Sequence, residues 1–465
     1  MVRREVAIVA AKVTGELSRR LRFGGGTALP GLVAERVDPR IVSRLALNLG
    51  GGAILVTGTN GKTTTSRMIC RIVTASGKRP VGNREGSNMM RGVAAALAEA
   101  SGWQGKISSP HSALGVFEVD EATLPQIATA VRPRVVLFTN LFRDQLDRYG
   151  EVETVATLWQ QAVNSWPSDL TIVLNADDPS VSSLRDSARG PVLTYGLDDP
   201  SAGSGQIEHA ADARWCRRCG GELTYAPVFY GHIGHWACTS CGNGRTPPDV
   251  LCSRLSSDAD GIQMTIETAV GQLQVGLPLS GVYNAYNALS AVAATIALGL
   301  EKSSIEAGMS GLTAAFGRQE RIPISGKQVE VILAKNPAGL NEVLRTITRD
   351  PEARDVVFLL NDRIADGRDI SWIWDVDFER LQGHLRSVSA SGDRAWDMAL
   401  RLKYAGLSDS PTVETDTAAA LRVALSRTPE NGKLYVIPTY TAMLQVRNIL
   451  GKWSGKGAFW ESDRR

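Results

Sequence analysis

The sequence predicts an α/β fold built on parallel strands, and three observations carry that prediction. Short apolar runs alternate with stretches of helical periodicity, most of those runs end in polar turns, and one run, Ile54-Leu55-Val56, leads straight into Thr57-Gly58-Thr59-Asn60-Gly61-Lys62-Thr63-Thr64-Thr65. Leu114–Phe117, Val135–Phe138, Ile172–Leu174, Val356–Leu360 and Leu434–Ile437 read as strands buried on both faces, which is the mark of parallel pairing. Ligands in such sheets gather beyond the carboxyl ends of the strands, so the turns after these runs are where chemistry is expected.

Composition narrows the class. The chain has 465 residues, long enough for two or three domains, and 51 Lys and Arg against 48 Asp and Glu leave too small a surplus for strong polyanion binding. Val6 to Ala11 is apolar and follows Arg3 and Arg4, but Lys12 interrupts it, and no run of about eighteen apolar residues exists. A cytoplasmic protein is expected, with at most peripheral contact at the inner face of the membrane. Val6, Val9, Val13, Leu17 and Leu21 recur at helical spacing among Lys12, Arg19, Arg20 and Arg22. This stripe is expected to pack against the body of the protein, ahead of a role at a membrane surface. Gly24-Gly25-Gly26 ends the arm.

Gly58, Thr59, Asn60 and Gly61 form a loop whose backbone N–H groups can approach phosphate oxygens. Lys62 adds a point charge, the Thr63 hydroxyl can join the shell of a magnesium ion at the helix start, and Thr64 continues the helix. The general spelling G-x-x-x-x-G-K-[ST] would need glycine where Val56 stands, so this is a shorter loop. Two polar turns follow in sequence: Phe117-Glu118-Val119-Asp120-Glu121 and Thr139-Asn140-Leu141-Phe142-Arg143-Asp144-Gln145-Leu146-Asp147. Glu118 is the favoured magnesium ligand, since that ion takes hard oxygen donors; an acidic turn standing alone would read as a solvated cap. Asn175-Ala176-Asp177-Asp178 follows the next strand, with turn and capping roles as the simplest explanation. Asn284 and Asn287, three apart on one helix face, suit an adenine edge. In Gly317-Arg318-Gln319-Glu320-Arg321 the arginines, Arg318 first, are expected to meet phosphates of the nucleotide, with hinge ion pairs as the plain alternative.

The loop, the acidic strand end, T-N-L-x-R-D-x-L-D and these later motifs, in this order, resemble the Mur ligase family, which includes the folylpolyglutamate synthetases. The resemblance implies ATP and magnesium, with Thr63 and Glu118 at the metal and Asn284 and Asn287 on the adenine side. Many members carry histidine where this chain has Gln145, so a second metal ion is in doubt. Only about fifty residues precede the loop, short of the nucleotide-sugar-binding domain of standard members, which fits an acceptor carried on a lipid.

Cys216-Arg217-Arg218-Cys219 and Cys238-Thr239-Ser240-Cys241 have the C-x2-C…C-x2-C spacing at which two knuckles give four thiolates to one tetrahedral zinc ion. Four cysteines leave no place for His232 or His235, and a closed shell argues for a structural centre; Cys70 and Cys252 read as packed thiols. The ribbon prompts a second class of function, a nucleic-acid-binding ATPase, through Arg214, Arg217, Arg218 and Arg245 with Trp215, Phe229, Tyr230 and Trp236 as stacking surfaces. The near-neutral charge balance argues against it, and no nucleic-acid partner is expected.

Ala334-Lys335-Asn336-Pro337-Ala338-Gly339 opens a third segment, and Asn361 to Glu379 is dense in aspartate and tryptophan. With the four-cysteine insertion and Pro438-Thr439-Tyr440-Thr441-Ala442-Met443-Leu444, this segment resembles the amidating members of the Mur ligase family. That resemblance implies ATP-dependent amidation of the α-carboxylate of D-glutamate in the lipid II stem peptide through an acyl phosphate. It implies a heterodimer as well, with ammonia supplied by a separate class I glutaminase of the GatD type. Asp369, Asp366 and Asp375 are candidates for the acid that orients the glutaminase histidine, each with helix capping or loop bonding as the plain alternative. Of Trp372 and Trp374, one is expected in the core and one at the interface. The competing enzyme reading is a ligase that adds an amino acid to a peptide or folate-like acceptor. The expected organisation is a helical arm over 1–50, an ATPase domain over 51–316 with the ribbon inserted at 205–250, and an α/β domain over 317–465 that contacts the glutaminase.

Overall fold

The computed structural model describes residues 2–20, 29–83, 87–107, 109–144, 152–203, 208, 211–257, 261–310, 312, 320–348 and 352–454. All five apolar runs form parallel strands within two sheets. The larger sheet has nine strands, in the order Leu273–Leu277, Ile262–Glu267, Val250–Ser257, Val192–Leu197, Thr171–Asn175, Val135–Phe138, Ala53–Thr57, Ala113–Glu118 and Arg79–Gly82. Pairing is parallel from Val250–Ser257 to Arg79–Gly82, and antiparallel where Ile262–Glu267 joins its two neighbours.

Alternation along the strands divides the core into two layers. Ile54 and Val56 face one layer with Met68 and Ile72, capped by the helix Val282–Ala297, whose Ala285, Ala288 and Ala291 let its backbone lie close. Leu55, Phe117, Val136 and Phe138 face the other layer, with Trp159 and the N-terminal helices.

The first helix, Val2–Arg20, corrects one expectation. Its inward face is Ala7, Ile8 and Ala11, while Val6, Val9, Val13 and Leu17 are 50%, 39%, 49% and 52% exposed. Ala7 and Ala11 let the helix lie against Leu29–Val37 and Met90–Ala100, and Ile8 joins the core beneath it. The larger apolar stripe is therefore left outside.

The smaller sheet runs Glu320–Ile324, Lys327–Val331, Lys433–Pro438, Arg354–Leu359, Leu385–Ser391 and Thr412–Val413, parallel except for the first pair. Between the neighbouring strands Val192–Leu197 and Val250–Ser257 the chain leaves the large sheet to form the hairpin Leu223–Tyr230 and Ile233–Cys238, with Cys216 and Cys219 ahead of it, Cys238 at its end and Cys241 just after it.

Candidate nucleotide site and four-cysteine centre

The phosphate loop takes a path open to glycine. Gly58 has φ +129° and Gly61 +88°; a Cβ on Gly58 would stand 2.1 Å from Thr139 Oγ1, and one on Gly61 2.1 Å from Asn287 Oδ1. Gly61 starts the helix Lys62–Ala75, so the positive end of its dipole faces the loop. The turn after the Val135–Phe138 strand fixes the loop: Asn140 Oδ1 accepts from Asn60 N at 2.9 Å, and Phe142 N donates to Thr59 Oγ1 at 2.9 Å. Thr64 is buried beneath the loop.

Two pairs give the site its electrostatics. Thr63 Oγ1 donates to Glu118 Oε2 at 2.8 Å, so the two residues expected at magnesium stand together. Lys62 Nζ lies 2.9 Å from Glu121 Oε1 and donates to the Gly58 carbonyl. Burial opposes its charge, but Glu121, Glu118 and Asp144 outweigh burial and hold Lys62 above the ordinary lysine range. A hydroxyl and a carboxylate, both hard oxygen donors beside a buried cation, fit magnesium and polyphosphate.

Asn284 Nδ2 donates to the Ser280 carbonyl at 2.8 Å, and Asn287 Nδ2 to Asn284 Oδ1 at 3.2 Å. Both carboxamides are buried, and Asn287 braces the loop at Gly61. Arg318 and Gln145 lie outside the described residues.

Four residues were not singled out in the sequence and belong to this site. Glu121 pairs with Lys62; Asp144, which burial lifts above the usual carboxylate range against the pull of Lys335, pairs with that lysine. Asn336 Nδ2 donates to Asn60 Oδ1 at 3.0 Å. Lys335 and Asn336 follow a strand of the smaller sheet, so the C-terminal part reaches the phosphate loop. The polar break after Val329-Glu330-Val331-Ile332-Leu333 was the signal for them.

The three aspartates of the C-terminal loop separate. Asp366 is buried and accepts from the backbone N–H of Thr441 at 2.7 Å, inside the first turn of the helix Tyr440–Trp453. Asp375 Oδ2 lies 2.9 Å from Arg143 Nη1, tying this loop to the turn beside the phosphate loop. Asp369 is half-buried and accepts from Ser371 N at 2.8 Å. Trp372 packs against the core of the smaller sheet, whereas Trp374 is exposed.

In the ribbon, Cys216, Cys219, Cys238 and Cys241 place their sulfurs within 4.8 Å of one another, with Cys216 to Cys241 at 3.8 Å and Cys219 to Cys238 at 3.5 Å. A tetrahedral zinc with bonds of about 2.3 Å has ligand edges of about 3.8 Å. N–H groups of Cys241 and Ser240 pull the Cys238 thiol down to about 6. The Gly221 N–H favours the Cys219 thiolate, yet the sulfurs of Cys241 and Cys238 outweigh it and push that thiol up to about 12. Four such thiols ionise together only around a cation, so the set fits a metal ion. His235 Nε2 is instead 2.8 Å from the Leu197 carbonyl, and His232 Nδ1 accepts from Asp212 N at 3.3 Å. Burial pushes both Cys70 and Cys252 up to about 12, as inert packed thiols. Phe229, Tyr230 and Trp236 are buried, which removes three of the four stacking surfaces that a nucleic acid would need.

Asp178 Oδ1 caps the helix Pro179–Ser182 through Ser180 N at 2.9 Å, and Asp177 pairs with Arg245 at 2.5 Å. That turn is structural.

Fold and site together define a Mur ligase-type ATP-dependent ligase. Residues 56–217 match the Mur ligase middle domain, and residues 333–443 match the MurT ligase C-terminal domain. The structure is similar to a pseudomurein peptide ligase type C from Methanothermus fervidus, with a TM-score of 0.66 at 23% identity over 86% of this chain and 78% of that one. It is also similar to MurF of Thermotoga maritima in complex with ADP, with a TM-score of 0.61 at 13% identity over 91% and 84%. The chain is 32% identical to the MurT subunit of lipid II isoglutaminyl synthase (glutamine-hydrolyzing) from Staphylococcus aureus (strain COL), over 97% of this chain and 98% of the relative. With the same subunit of Streptococcus pneumoniae (strain ATCC BAA-255 / R6) it shares 34%, over 92% and 93%. The chain belongs to the MurT family.

Proposed function

We propose that the chain is the synthetase subunit of a glutamine-dependent enzyme that amidates the α-carboxylate of D-glutamate in the lipid II stem peptide. One observation carries this reading over the addition of an amino acid. The chain aligns with the MurT subunits over nearly their whole length, but with only 51% of the diaminopimelate-adding ligase of Gloeobacter violaceus.

The geometry supports the chemistry. A carboxylate resists attack because oxide is a poor leaving group. Transfer of the γ-phosphoryl of ATP to a carboxylate oxygen releases ADP and makes an acyl phosphate. The ammonia lone pair then attacks the acyl carbon, phosphate leaves with the bonding pair, and one proton is lost to give the amide. Lys62 and the loop N–H groups neutralise charge on the transferring phosphoryl, with Glu121 orienting Lys62. Thr63 and Glu118 would hold a magnesium ion, which would supply charge neutralisation at the phosphates. Lys335 and Asn336 bring the C-terminal part to the loop, which closes the site against water.

Ammonia at neutral pH is mostly ammonium and has no lone pair to offer, so a sheltered source is required. A class I glutaminase of the GatD type is the proposed partner. Asp369 is the favoured orienting acid, since it is half-buried and, among the described residues, bonded only to its own turn at Ser371, whereas Asp366 and Asp375 are held by the distant Thr441 and Arg143. The helix Ala395–Tyr404 exposes Trp396, Leu400 and Tyr404 at four-residue spacing, with Trp374 packed on Tyr404 at 5.7 Å; these rings would anchor the glutaminase near Asp369. The four-cysteine ribbon is assigned to structural zinc.

The decisive experiment follows the mass of lipid II with ATP, magnesium and glutamine, with and without the glutaminase. Loss of about one mass unit on the stem peptide, only with both subunits, is the expected outcome of turning an acid into an amide. Gain of an amino-acid residue by the chain alone would sink this reading in favour of the amino-acid ligase.

A further inference from the structure

Exposed large apolar side chains are not scattered over the described residues. Of fourteen, seven are Val6, Val9, Val13, Leu17, Leu29, Leu47 and Trp103. The Trp103 loop belongs with the N-terminal arm: Arg4 donates to the Gln104 carbonyl at 2.9 Å, Lys12 donates to that of Ser101, and Lys12 Nζ stands 5.2 Å from the Trp103 ring.

Charge singles out the same region. Residues 1–50 hold nine Lys and Arg against four Asp and Glu, whereas the remainder holds 42 against 44. The whole positive surplus of the chain therefore lies in the arm that bears the open stripe. No helix among the described residues is long and apolar enough to cross a membrane, so this one would lie along a surface.

We propose that the outer face of the first helix docks on an anionic lipid bilayer. Val6, Val9, Val13 and Leu17 enter the boundary between headgroups and acyl chains, Trp103 sits at headgroup depth, and the positive surplus of the arm favours a surface of lipid phosphates. Short aliphatic side chains on one helix face suit a fluid surface, which needs no matching pockets. The purpose of this docking rests on the lipid-borne acceptor proposed above: it holds the chain where its substrate is anchored.

The test uses the purified full chain and phosphatidylcholine vesicles with or without about 30% phosphatidylglycerol, all free of lipid II. Sedimentation with the anionic vesicles is expected to be about tenfold stronger than with neutral ones and to weaken with salt. Val9→Glu with Val13→Glu is expected to reduce it about tenfold, and Val9→Ser with Val13→Ser less. Both variants should keep the melting temperature and, with the glutaminase, the amidation of a water-soluble short-chain lipid II analogue. Wild-type chain that stays in the supernatant, or a glutamate variant that sediments equally, overturns the proposal. A wild-type dimer that the glutamate variant converts to monomer, with no vesicle binding, overturns it in favour of a second copy on the stripe. Failure of the wild-type complex to amidate the soluble analogue counts against the function alone, because the vesicle measurement contains no substrate.

Discussion

The phosphate loop and the aspartate-rich loop of the C-terminal part are both dense in functional residue types, yet they differ in how far local sequence sets their geometry. In the first, Gly58 and Gly61 adopt positive φ, the helix begins at once, and Lys62 and Thr63 are placed by covalent neighbourhood. In the second, three aspartates within ten residues go three ways: Asp366 to Thr441, Asp375 to Arg143, and Asp369 to its own turn. Spacing fixes a site when its residues converge on one ligand through the local backbone. It does not when their partners come from distant parts of the chain.

The comparison breaks most sharply at Lys62. Lys62→Ala removes the buried cation from the phosphoryl path and leaves Glu121 and Glu118 without it, so amidation should fall by about 10³-fold. The loss should be equal with glutamine or with ammonium as donor, measured by lipid II mass. Asp369→Asn should separate the donors instead. Glutamine-dependent amidation should fall by about 10²-fold as the histidine loses its orienting acid, while ammonium-supported amidation stays within about twofold. Equal loss with both donors would return Asp369 to a loop role and leave the orienting acid unassigned.

The ribbon lies with the phosphate loop in this comparison, since two C-x2-C knuckles encode their own turns. The chain should carry one zinc ion by elemental analysis. Cys219→Ser should lose that ion and lower the melting temperature by about 5 °C, with the phosphate loop unaffected in nucleotide binding. Retention of the ion, or an unchanged melting temperature, would argue against a structural centre.

What was legible in the sequence follows the same division. The parallel strands, the phosphate loop, Thr63 beside Glu118 and the four cysteines depend on short-range pattern, and the structure brings each set together. Glu121 was hidden because the turn offers Glu118, Asp120 and Glu121 in four residues, and only the position of Lys62 distinguishes them. Lys335 and Asn336 were hidden because their partners, Asp144 and Asn60, lie 191 and 276 residues away. The first helix misled for a different reason. Periodicity located an apolar stripe, but the opposite face of Ala7, Ile8 and Ala11 took the packing and joined the core with Leu45, Val93 and Leu97. A stripe in sequence shows that a face is apolar, and the choice of which face turns inward depends on the helices beneath it.

Asp366 gives the smallest effect and the finest distinction. Its carboxylate satisfies the Thr441 N–H as a helix cap would, so Asp366→Asn keeps one acceptor and should cost about 1 kcal/mol or less. The variant's activity should remain near wild type with either donor, unlike that of Asp369→Asn. Burial raises the Asp366 carboxyl above its ordinary range despite the Thr441 bonds, so the folded state holds its proton more tightly than the unfolded chain does. The stability this provides is full below the ordinary carboxylate value and is lost as pH rises through the raised folded value. Asparagine cannot ionise. The melting temperature of the wild type relative to Asp366→Asn should therefore fall as pH rises through that window. A wild type that instead gained on the variant with rising pH would show that the Thr441 bonds and the helix start outweigh burial and favour the ionised carboxylate.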